Sequence, residues 1–505
     1  MDARLILLHV LALLAVVAGG GGGGGAVVGR ESAVLPLREL QWGSSGQGRY
    51  SQSKRFEKKM TGEHKKSAAA RTTSTTVLEL KHHSLTAISD HPAAQESYLR
   101  RLLAADEARA NSLQLRNKAA FTQSGNAAAA AEVPLTSGIR FQTLNYVTTI
   151  ALGGRSSRAG VGNLTVIVDT GSDLTWVQCK PCSVCYAQRD PLFDPAGSAS
   201  YAAVPCNASA CEASLKAATG VPGSCASGSG NSEKCYYALA YGDGSFSRGV
   251  LATDTVALGG ASLDGFVFGC GLSNRGLFGG TAGLMGLGRT ELSLVSQTAS
   301  RFGGVFSYCL PATTSGDAAG SLSLGGDTSS YRNATPVSYT RMIADPAQPP
   351  FYFMNVTGAS VGGAVAAAGL GAANVLIDSG TVITRLAPSV YRAVRGEFAR
   401  QFTERYPAAP PFSLLDTCYN LTGHDEVKVP LLTLRLEGGA DMTVDAAGML
   451  FMVRKDGSQV CLAMASLSFE DQTPIIGNYQ QKNKRVVYDT VGSRLGFADE
   501  DCTYA

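Results

Sequence analysis

Two apolar segments, far apart in the chain, run into nearly the same polar motif. Residues 164–168 lead into Asp-Thr-Gly-Ser at 169–172, and residues 374–377 lead into Asp-Ser-Gly-Thr at 378–381. Apolar, β-branched runs of this length are typical of buried strands. Each unit therefore predicts a strand that ends on a buried carboxylate. The repetition predicts two similar lobes that supply one carboxylate each.

The carboxylates of Asp169 and Asp378 are the candidate catalytic groups. A buried ionised carboxylate is costly unless a neighbour shares its charge or bonds to it. Two carboxylates side by side hold one proton between them, so that one acts as a base and the other as an acid on a water molecule and a peptide carbonyl. Six flanking residues are predicted to support this dyad: Thr170, Gly171, Ser172, Ser379, Gly380 and Thr381. The alternative, two unrelated Asp-Gly turns, does not explain the matching flanks.

Residue usage excludes several other chemistries. Of the six histidines, only His424 lies beyond residue 91, and its turn-like surroundings predict a surface residue. Catalytic triads and hydrolytic zinc sites need imidazole groups. The Cys-x-x-Cys-x-x-Cys run at 179–185 has the spacing of one half of a zinc site, but the sequence has no second cluster to supply the other ligands. Disulfides are therefore favoured over a metal. The glycine-rich stretch 279–288 lacks the Lys of a phosphate loop, so no nucleotide or other cofactor is expected.

The N-terminus predicts a secretory signal peptide over residues 1–26, since Arg4 precedes an apolar run that ends in small residues. An organellar transit peptide is the alternative, and the continuous Leu/Ala/Val run disfavours it. No later segment predicts a membrane span. The 12 cysteines all follow residue 178 and predict disulfides in an oxidising compartment. We expect a secreted protein, extracellular or vacuolar, with five glycosylation sequons at Asn163, Asn207, Asn333, Asn355 and Asn420.

Charge is unevenly distributed along the chain. Residues 27–140 hold 17 Lys and Arg against 10 Asp and Glu, whereas residues 141–505 hold 25 against 29. Within the basic segment, residues 76–83 alternate like a strand and residues 95–118 predict an amphipathic helix. A solvated tail and a nucleic-acid-binding segment are two interpretations of such a run. A third, which we prefer, is a cationic prosegment that lies on an anionic mature domain.

The compact part of the chain begins near residue 144. From there, short strands rich in Val, Ile, Leu, Phe and Tyr alternate with turns of Gly, Asp and Ser. Helical periodicity is confined to segments such as 293–302 and 390–402. This pattern predicts an all-β fold with a few short helices.

These motifs resemble the paired signatures of pepsin-like aspartic endopeptidases, over the chain from about residue 145 onwards. The run Tyr241-Gly242-Asp243-Gly244-Ser245 is similar to the family's flap, whose Tyr closes over the substrate, and Trp176 is similar to the Trp that supports that Tyr. Residues 284–286 and 475–477 are similar to the segments that cross behind the catalytic loops. The cysteine-rich insertion at 179–235 resembles the plant atypical branch, nepenthesin- and nucellin-like.

The resemblance implies a bilobal double β-barrel with a cleft between an N-terminal lobe (141–330) and a C-terminal lobe (331–505). It also implies that the prosegment (27–140) blocks this cleft, that protein or peptide substrates enter it, and that no cofactor or metal is needed. We expect the mature form to be a monomer that binds neither nucleic acid nor membrane.

Disulfide pairing is a further hypothesis. We expect the seven cysteines of the insertion to pair mostly among themselves and Cys418 to pair with Cys461.

Two other functions remain open at this point. One is a catalytically silent inhibitor on the same fold, and the other is a plastid DNA-associated protease that uses the basic segment. Both Asp residues, both Gly residues and Tyr241 are present, which favours an active endopeptidase made as a zymogen and working at acidic pH.

Overall fold

The computed structural model describes residues 32–36, 92–115, 131–137, 143–153, 162–225, 233–241, 244–312, 319–328, 331–368 and 374–503. The predicted signal peptide, the predicted strand at 76–83 and the flap residues Gly242 and Asp243 lie outside these ranges. Among the residues that are described, no helix is long and apolar enough to cross a membrane.

The strands of the first half of the chain are β1 (Ser32–Pro36), β2 (Ala131–Ser137), β3 (Tyr146–Leu152), β4 (Asn163–Asp169), β5 (Trp176–Gln178), β6 (Ala202–Ala203), β7 (Ser224–Cys225), β8 (Cys235–Ala240), β9 (Phe246–Leu258), β10 (Ala261–Arg275), β11 (Gly283–Gly286), β12 (Val305–Cys309) and β13 (Ala319–Leu324). Those of the second half are β14 (Ser338–Arg341), β15 (Phe353–Val361), β16 (Ala364–Ala368), β17 (Asn374–Ile377), β18 (Thr384–Leu386), β19 (Ala408–Ala409), β20 (Cys418–Tyr419), β21 (Glu426–Pro430), β22 (Leu432–Leu436), β23 (Asp441–Thr443), β24 (Leu450–Met452), β25 (Val460–Leu462), β26 (Met464–Ser466), β27 (Ile475–Ile476), β28 (Lys484–Asp489) and β29 (Arg494–Asp499).

The α-helices in the described ranges are α1 (Pro92–Leu115), α2 (Leu215–Thr219), α3 (Leu294–Gln297), α4 (Ala299–Phe302), α5 (Pro388–Phe402) and α6 (Ala446–Met449). Short 3-10 segments lie at Pro195–Gly197 and Asn478–Gln481, and a π-helical turn lies at Ala210–Ser214. Strands thus dominate the compact part, and the all-β prediction is confirmed. The helix predicted at 95–118 is present as α1, shifted by three residues at each end.

The largest sheet joins the two halves of the chain. Its strands follow one another in the order β14, β29, β28, β12, β13, β2, β3, β4, β11, β5, β10, β9, β8 and β7, with β6 paired to β9. At one end, strands from the second half of the chain pair with β12 of the first half. The strand β2 lies between β13 and β3, so the last part of the predicted prosegment contributes backbone to this sheet.

The strand β4, which ends on Asp169, lies inside the sheet between β3 and β11. Six of its seven residues are buried. A strand covered on both faces carries a continuous apolar run rather than an alternating one, which explains the sequence pattern at 164–168.

The second half of the chain builds two further sheets. One follows the order β23, β22, β15, β17, β27, β18 and β26, with β16 on β15, and the other follows β19, β20, β25 and β24. The strand β17, which precedes Asp378, lies between β15 and β27 and therefore occupies a position like that of β4. The strand β1 pairs antiparallel with β21 of this half.

The helix α1 packs mainly on the second half. Its buried apolar side chains recur at spacings of four, seven and three residues, which places them on one face of the helix: Leu99, Leu103, Ala110 and Leu113. Ala110 and Leu113 form one buried cluster with Phe351, Phe353, Leu376 and Ile475. Burying each leucine contributes about 2 kcal/mol to this docking.

All twelve cysteines are paired. The pairs are Cys179–Cys270, Cys182–Cys185, Cys206–Cys225, Cys211–Cys235, Cys309–Cys502 and Cys418–Cys461. Six of the seven insertion cysteines pair within the insertion, and Cys179 reaches out of it to β10. The structure thus contains the expected bond between Cys418 and Cys461.

Candidate active site

The carboxylates of Asp169 and Asp378 lie at the ends of β4 and β17, and both side chains are fully buried. The two strands come from different halves of the chain, and the loops that follow them are joined by hydrogen bonds between Thr170 and Ser379. The structure therefore brings together the two carboxylates that the sequence predicts as a pair.

Each carboxylate accepts two hydrogen bonds from its own loop. The N–H of Gly171 donates to Asp169 Oδ1 at 3.0 Å, and the Ser172 hydroxyl donates to Asp169 Oδ2 at 2.6 Å. The N–H of Gly380 and the Thr381 hydroxyl donate to Asp378 at 2.9 and 2.6 Å. The repeated sequence motif thus forms a repeated hydrogen-bond pattern, which fixes the orientation of both carboxylates.

The second residue of each motif joins the two loops. The backbone N–H of Thr170 donates to Ser379 Oγ at 3.0 Å, and the backbone N–H of Ser379 donates to Thr170 Oγ1 at 2.9 Å. The Ser379 hydroxyl also donates to the carbonyl of Val168 at 3.0 Å. Small hydroxyl residues are required here because each must accept a hydrogen bond across a buried interface.

Glycine at the third position leaves room for the opposite side chain. A Cβ on Gly380 would lie 2.2 Å from Asp169 Oδ1, and one on Gly171 would lie 2.7 Å from Asp378 Oδ1. Any side chain at either position would push the carboxylates apart.

Two short strands support the loops from behind. The strand β11 runs parallel to β4, and the N–H of Leu287 donates to the Asp169 carbonyl at 2.8 Å. The strand β27 runs parallel to β17, and the N–H of Asp378 donates to the Ile476 carbonyl at 3.1 Å. Both are the apolar-apolar-Gly segments singled out in the sequence.

The base of the predicted flap is described at Tyr241. Its phenol accepts a hydrogen bond from Trp176 Nε1 at 2.9 Å, and its ring meets Phe278 edge-on with centroids 5.5 Å apart. Trp176 packs on the same Phe278 ring at 4.9 Å. Trp176 and Tyr241 are therefore in contact, and Phe278 is a third member of this aromatic group.

Arg109 of α1 lies between the two carboxylates. Its Nη2 is 2.6 Å from Asp169 Oδ1 and 3.0 Å from Asp378 Oδ2, and its Nε donates to Asp378 Oδ2 at 3.2 Å. The side chain of Arg109 is 14% exposed, and both partners are fully buried. The guanidinium therefore lies within hydrogen-bond distance of both carboxylates at once.

One helical turn before Arg109, Asp106 forms a second buried contact. It accepts hydrogen bonds from the N–H groups of Val382 and Ile383 at 2.6 and 3.1 Å, and it pairs with Arg385 Nη2 at 3.0 Å. Arg385 also donates to the Ile383 carbonyl at 2.7 Å. The loop that carries Asp378 thus continues into an anchor for α1.

The pKa values of the two carboxyl groups are shifted in opposite directions. Burial raises the pKa of Asp169, and the nearby negative charge of Asp378 raises it further. The positive charge of Arg109 lowers this pKa, but by less than the two other effects raise it. Burial also pushes the pKa of Asp378 upward, but the Arg109 charge and the hydrogen bonds from Thr381 and Gly380 outweigh it and lower this pKa below the ordinary value. Asp169 therefore takes up a proton first as the pH falls.

Burial disfavours the charged form of Arg109, but the two carboxylates more than compensate and raise its pKa further above an already high value. The guanidinium therefore stays charged at every pH at which the carboxylates titrate.

Sequence reasoning did not single out Arg109, Asp106 or Arg385. A usable signal was present, because Asp106 interrupts the buried stripe of Leu99, Leu103, Ala110 and Leu113 at the same three- and four-residue spacing. A charged residue in such a stripe indicates a buried partner.

A bilobal β fold in which two Asp-Thr/Ser-Gly loops meet between the lobes defines the pepsin-like aspartic proteases. The family models described as xylanase inhibitor N-terminal and xylanase inhibitor C-terminal match residues 146–326 and 351–499. An aspartyl protease family protein of Arabidopsis thaliana is 40% identical over 80% of this chain and 82% of its own length. Aspartic proteinase nepenthesin-1 of Nepenthes gracilis is 34% identical over 67% of this chain and 75% of its own.

Among solved structures, the aspartic proteinase from Irpex lacteus matches with a TM-score of 0.52 at 19% identity, over 75% of this chain and 99% of that one. The likeness supports the fold. The chain belongs to the pepsin-like aspartic proteases, in their plant atypical, nepenthesin-like branch, and is an aspartic-type endopeptidase.

Proposed function

We propose that this protein is the zymogen of a secreted endopeptidase that hydrolyses peptide bonds at acidic pH with Asp169 and Asp378. The observation that carries the proposal is the bridge that Arg109 makes between these two buried carboxylates. A site built from two facing Asp loops and filled by a cation from an earlier segment of the same chain has the properties of a blocked enzyme.

In the unblocked site, the two carboxylates share one proton. The ionised member takes a proton from a water molecule, whose oxygen attacks the peptide carbonyl, while the protonated member donates to the carbonyl oxygen. The resulting tetrahedral diol collapses when a proton passes to the nitrogen, and the amine leaves. No covalent intermediate with the enzyme forms, and no metal or cofactor takes part.

The supporting residues act by holding the dyad in place. Ser172 and Thr381 donate to the outer carboxylate oxygens, and the exchange between Thr170 and Ser379 fixes the distance between the loops. Tyr241, with Gly242 and Asp243 beyond it, is proposed to close over the substrate, and Trp176 holds the Tyr241 phenol.

The inhibitory element is α1. It places Arg109 on the dyad and Asp106 on Arg385. Further along the helix, the Gln114 amide donates to the Thr473 carbonyl at 2.8 Å and accepts from the Thr473 N–H at 2.7 Å. In addition to the general attraction between the basic segment 27–140 and the acidic remainder of the chain, α1 therefore makes specific contacts at the active site.

Acidification favours release of α1. The dyad binds a proton readily when alone, whereas the charge of Arg109 opposes protonation of both members. The released state therefore binds more protons than the blocked one, and the equilibrium shifts toward release as the pH falls. This coupling gives activation in an acidic compartment without a separate activating protease.

Peptide cleavage by the full chain tests this function. Wild type, Asp169→Asn and Asp378→Asn would be brought from pH 7 to about pH 4, with and without pepstatin. We expect wild type to cleave the peptide in a pepstatin-sensitive manner and to lose its N-terminal segment, and we expect both variants to do neither. Equal cleavage by all three would contradict the dyad. Full-length protein without any cleavage would favour the inhibitor alternative.

The N-terminal sequence of the protein isolated from tissue tests the compartment and the processing. We expect residues 1–26 and the segment containing α1 to be absent. Retention of the basic run at 54–66 would favour the DNA-associated alternative instead.

Glycosylation is proposed chiefly for three of the five sequons. Asn163, Asn207 and Asn333 are exposed, whereas Asn355 and Asn420 are half-buried. The Asn355 amide also donates to Glu437 at 3.2 Å, which occupies the nitrogen that a glycan would need. Loss of mass on glycosidase treatment, followed by peptide mapping, would locate the modified sites.

A further inference from the structure

The contact between Asp106 and Arg385 leaves a specific feature on the enzyme side of the cleft. Three donors converge on one carboxylate: the N–H of Val382 bonds to Oδ1, and the N–H of Ile383 and Nη2 of Arg385 bond to Oδ2. Arg385 is 3% exposed and Asp106 is 5% exposed. The arrangement is a built carboxylate site, because two backbone amides and a guanidinium are fixed around it in advance.

The donors stay behind when α1 leaves. Arg385 keeps its bond to the Ile383 carbonyl at 2.7 Å, which holds its side chain in place, but its Nη2 loses its acidic partner. The amides of Val382 and Ile383 lose their acceptors at the same time. A buried cation and two buried donors without partners are costly, so this position favours a new anion.

The position of the site connects it to the substrate path. Val382 follows Thr381, which holds the Asp378 carboxylate, and Asp106 precedes Arg109 by three residues on the same face of α1. Three residues of helix advance about 4.5 Å along the axis. A cavity of about 70 Å³ is lined by Asp106, Arg109, Val382 and the flap residue Tyr241, so the Asp106 side of the carboxylate site faces the same space as Arg109 and the base of the flap.

We propose that Val382, Ile383 and Arg385 form a subsite that selects an acidic side chain, Asp or Glu, in the peptide substrate. In the zymogen Asp106 occupies this subsite as an internal mimic of that side chain. The inference rests on the proposed function, because it requires α1 to leave the cleft of an active endopeptidase. Arg385 acts here as a specificity residue and takes no part in the chemical step.

Matched peptides test the subsite. The activated enzyme would be given sets of peptides in which each position around the cleaved bond carries either Glu or Gln, at pH 5, where Glu is mostly ionised (its ordinary pKa is about 4.3). At one position we expect the Glu peptide to have a kcat/KM about tenfold or more above that of the Gln peptide, as for a hydrogen-bonded ion pair. At the other positions the ratio should stay near one.

Variants of Arg385 identify the group responsible. Arg385→Met, which keeps the length of the side chain and removes its charge, should bring the ratio close to one, because kcat/KM for the Glu peptide falls more than kcat/KM for the Gln peptide. Arg385→Lys keeps the charge but not the paired geometry, so an intermediate ratio is expected. The matched control is Arg392→Met on α5, whose side chain is 70% exposed; it should keep the wild-type ratio.

The outcomes separate the two proposals. If wild type cleaves no peptide in a pepstatin-sensitive manner, the proposed function fails. If it cleaves Glu and Gln peptides equally at every position, or if Arg385→Lys and Arg385→Met keep the full preference, the endopeptidase stands and the subsite is wrong. Should Arg385→Met not fold, the wild-type ratio and the Arg385→Lys ratio still decide the question.

Discussion

Arg109 Nη2 lies 2.6 Å from Asp169 Oδ1, a contact between residues of a helix and a strand that are 60 positions apart. The same nitrogen lies 3.0 Å from Asp378, so one guanidinium holds both lobes. Under the proposed function, this contact makes the state of the active site depend on whether α1 is docked.

Replacing the bridging cation should release the inhibition. In Arg109→Gln the two carboxylates lose a buried charged partner, and breaking such a pair costs about 3–5 kcal/mol. We expect α1 to dock more weakly and the zymogen to process itself at a higher pH than wild type, as followed by gel electrophoresis across a pH series. Arg101→Gln, on the exposed face of the same helix, is the control and should process like wild type. Processing of Arg109→Gln at the wild-type pH would contradict the inhibitory role of this side chain.

The pair of Asp106 and Arg385 should also hold α1 in place. Asp106→Asn keeps the shape of the side chain but removes the charge that pairs with Arg385, so α1 should again be released at a higher pH. In the double variant with Arg385→Met, the rise in activation pH should be smaller than the sum of the rises in the two single variants, because neither partner of the ion pair is then present. The activation pH of the four proteins measures this coupling. Glu107→Gln, at an exposed position next to Asp106, is the matched control. If the two single changes added up to the full effect of the double variant, Asp106 and Arg385 would not be coupled.

The contribution of Arg109 to the stability of the full chain should fall in two steps as the pH decreases. The pKa of Asp169 is raised, so its attraction for Arg109 is lost first, at a pH above the ordinary value of about 3.9. The pKa of Asp378 is lowered, so its contribution is present above the ordinary value and is lost only as the pH falls through the lowered pKa. The unfolding midpoints of wild type and Arg109→Gln would be compared between about pH 7 and pH 3 on freshly acidified chains that still carry α1. The difference should be largest at neutral pH. A difference that grows on acidification would have the wrong sign for this pairing.

The hydroxyl of Ser379 should stabilise the joint between the lobes. Ser379→Ala leaves the buried N–H of Thr170 without its acceptor, which costs about 1–3 kcal/mol. We expect a lower unfolding midpoint in urea and lower kcat, since the carboxylates lose their fixed spacing. Ser379→Thr retains the hydroxyl and should recover much of both. If Ser379→Ala were as stable and active as wild type, the exchange between the loops would have no energetic role.

The parts of this protein that depend on local sequence were predictable. The apolar runs before Asp169 and Asp378 predicted strands β4 and β17 because a strand buried on both faces needs a continuous apolar sequence. The periodic apolar residues of α1 predicted a helix to within three residues at each end. The position of the cysteines suggested where most disulfides form, although the bond from Cys179 to β10 crosses out of the insertion.

Contacts that join distant segments were not predictable in the same way. Nothing in the sequence around Arg109 distinguishes it from the other basic residues of the segment 27–140, and its role depends on the angle at which α1 docks. The partner of Asp106 depends on a loop 279 residues away at Arg385. Periodicity reports which face of a helix is buried, but it does not report what covers that face.

The sequence by itself determined the chemistry: two carboxylates in matching motifs, six small residues to hold them, and almost no histidine to support another hydrolytic mechanism. Only the tertiary structure decided the state in which that chemistry is held, because a single guanidinium fills the space between two loops that are 209 residues apart. The physical reason is that burial and pairing of charge depend on distances of a few ångströms between segments. Those distances are set by packing of the whole fold, not by any local pattern.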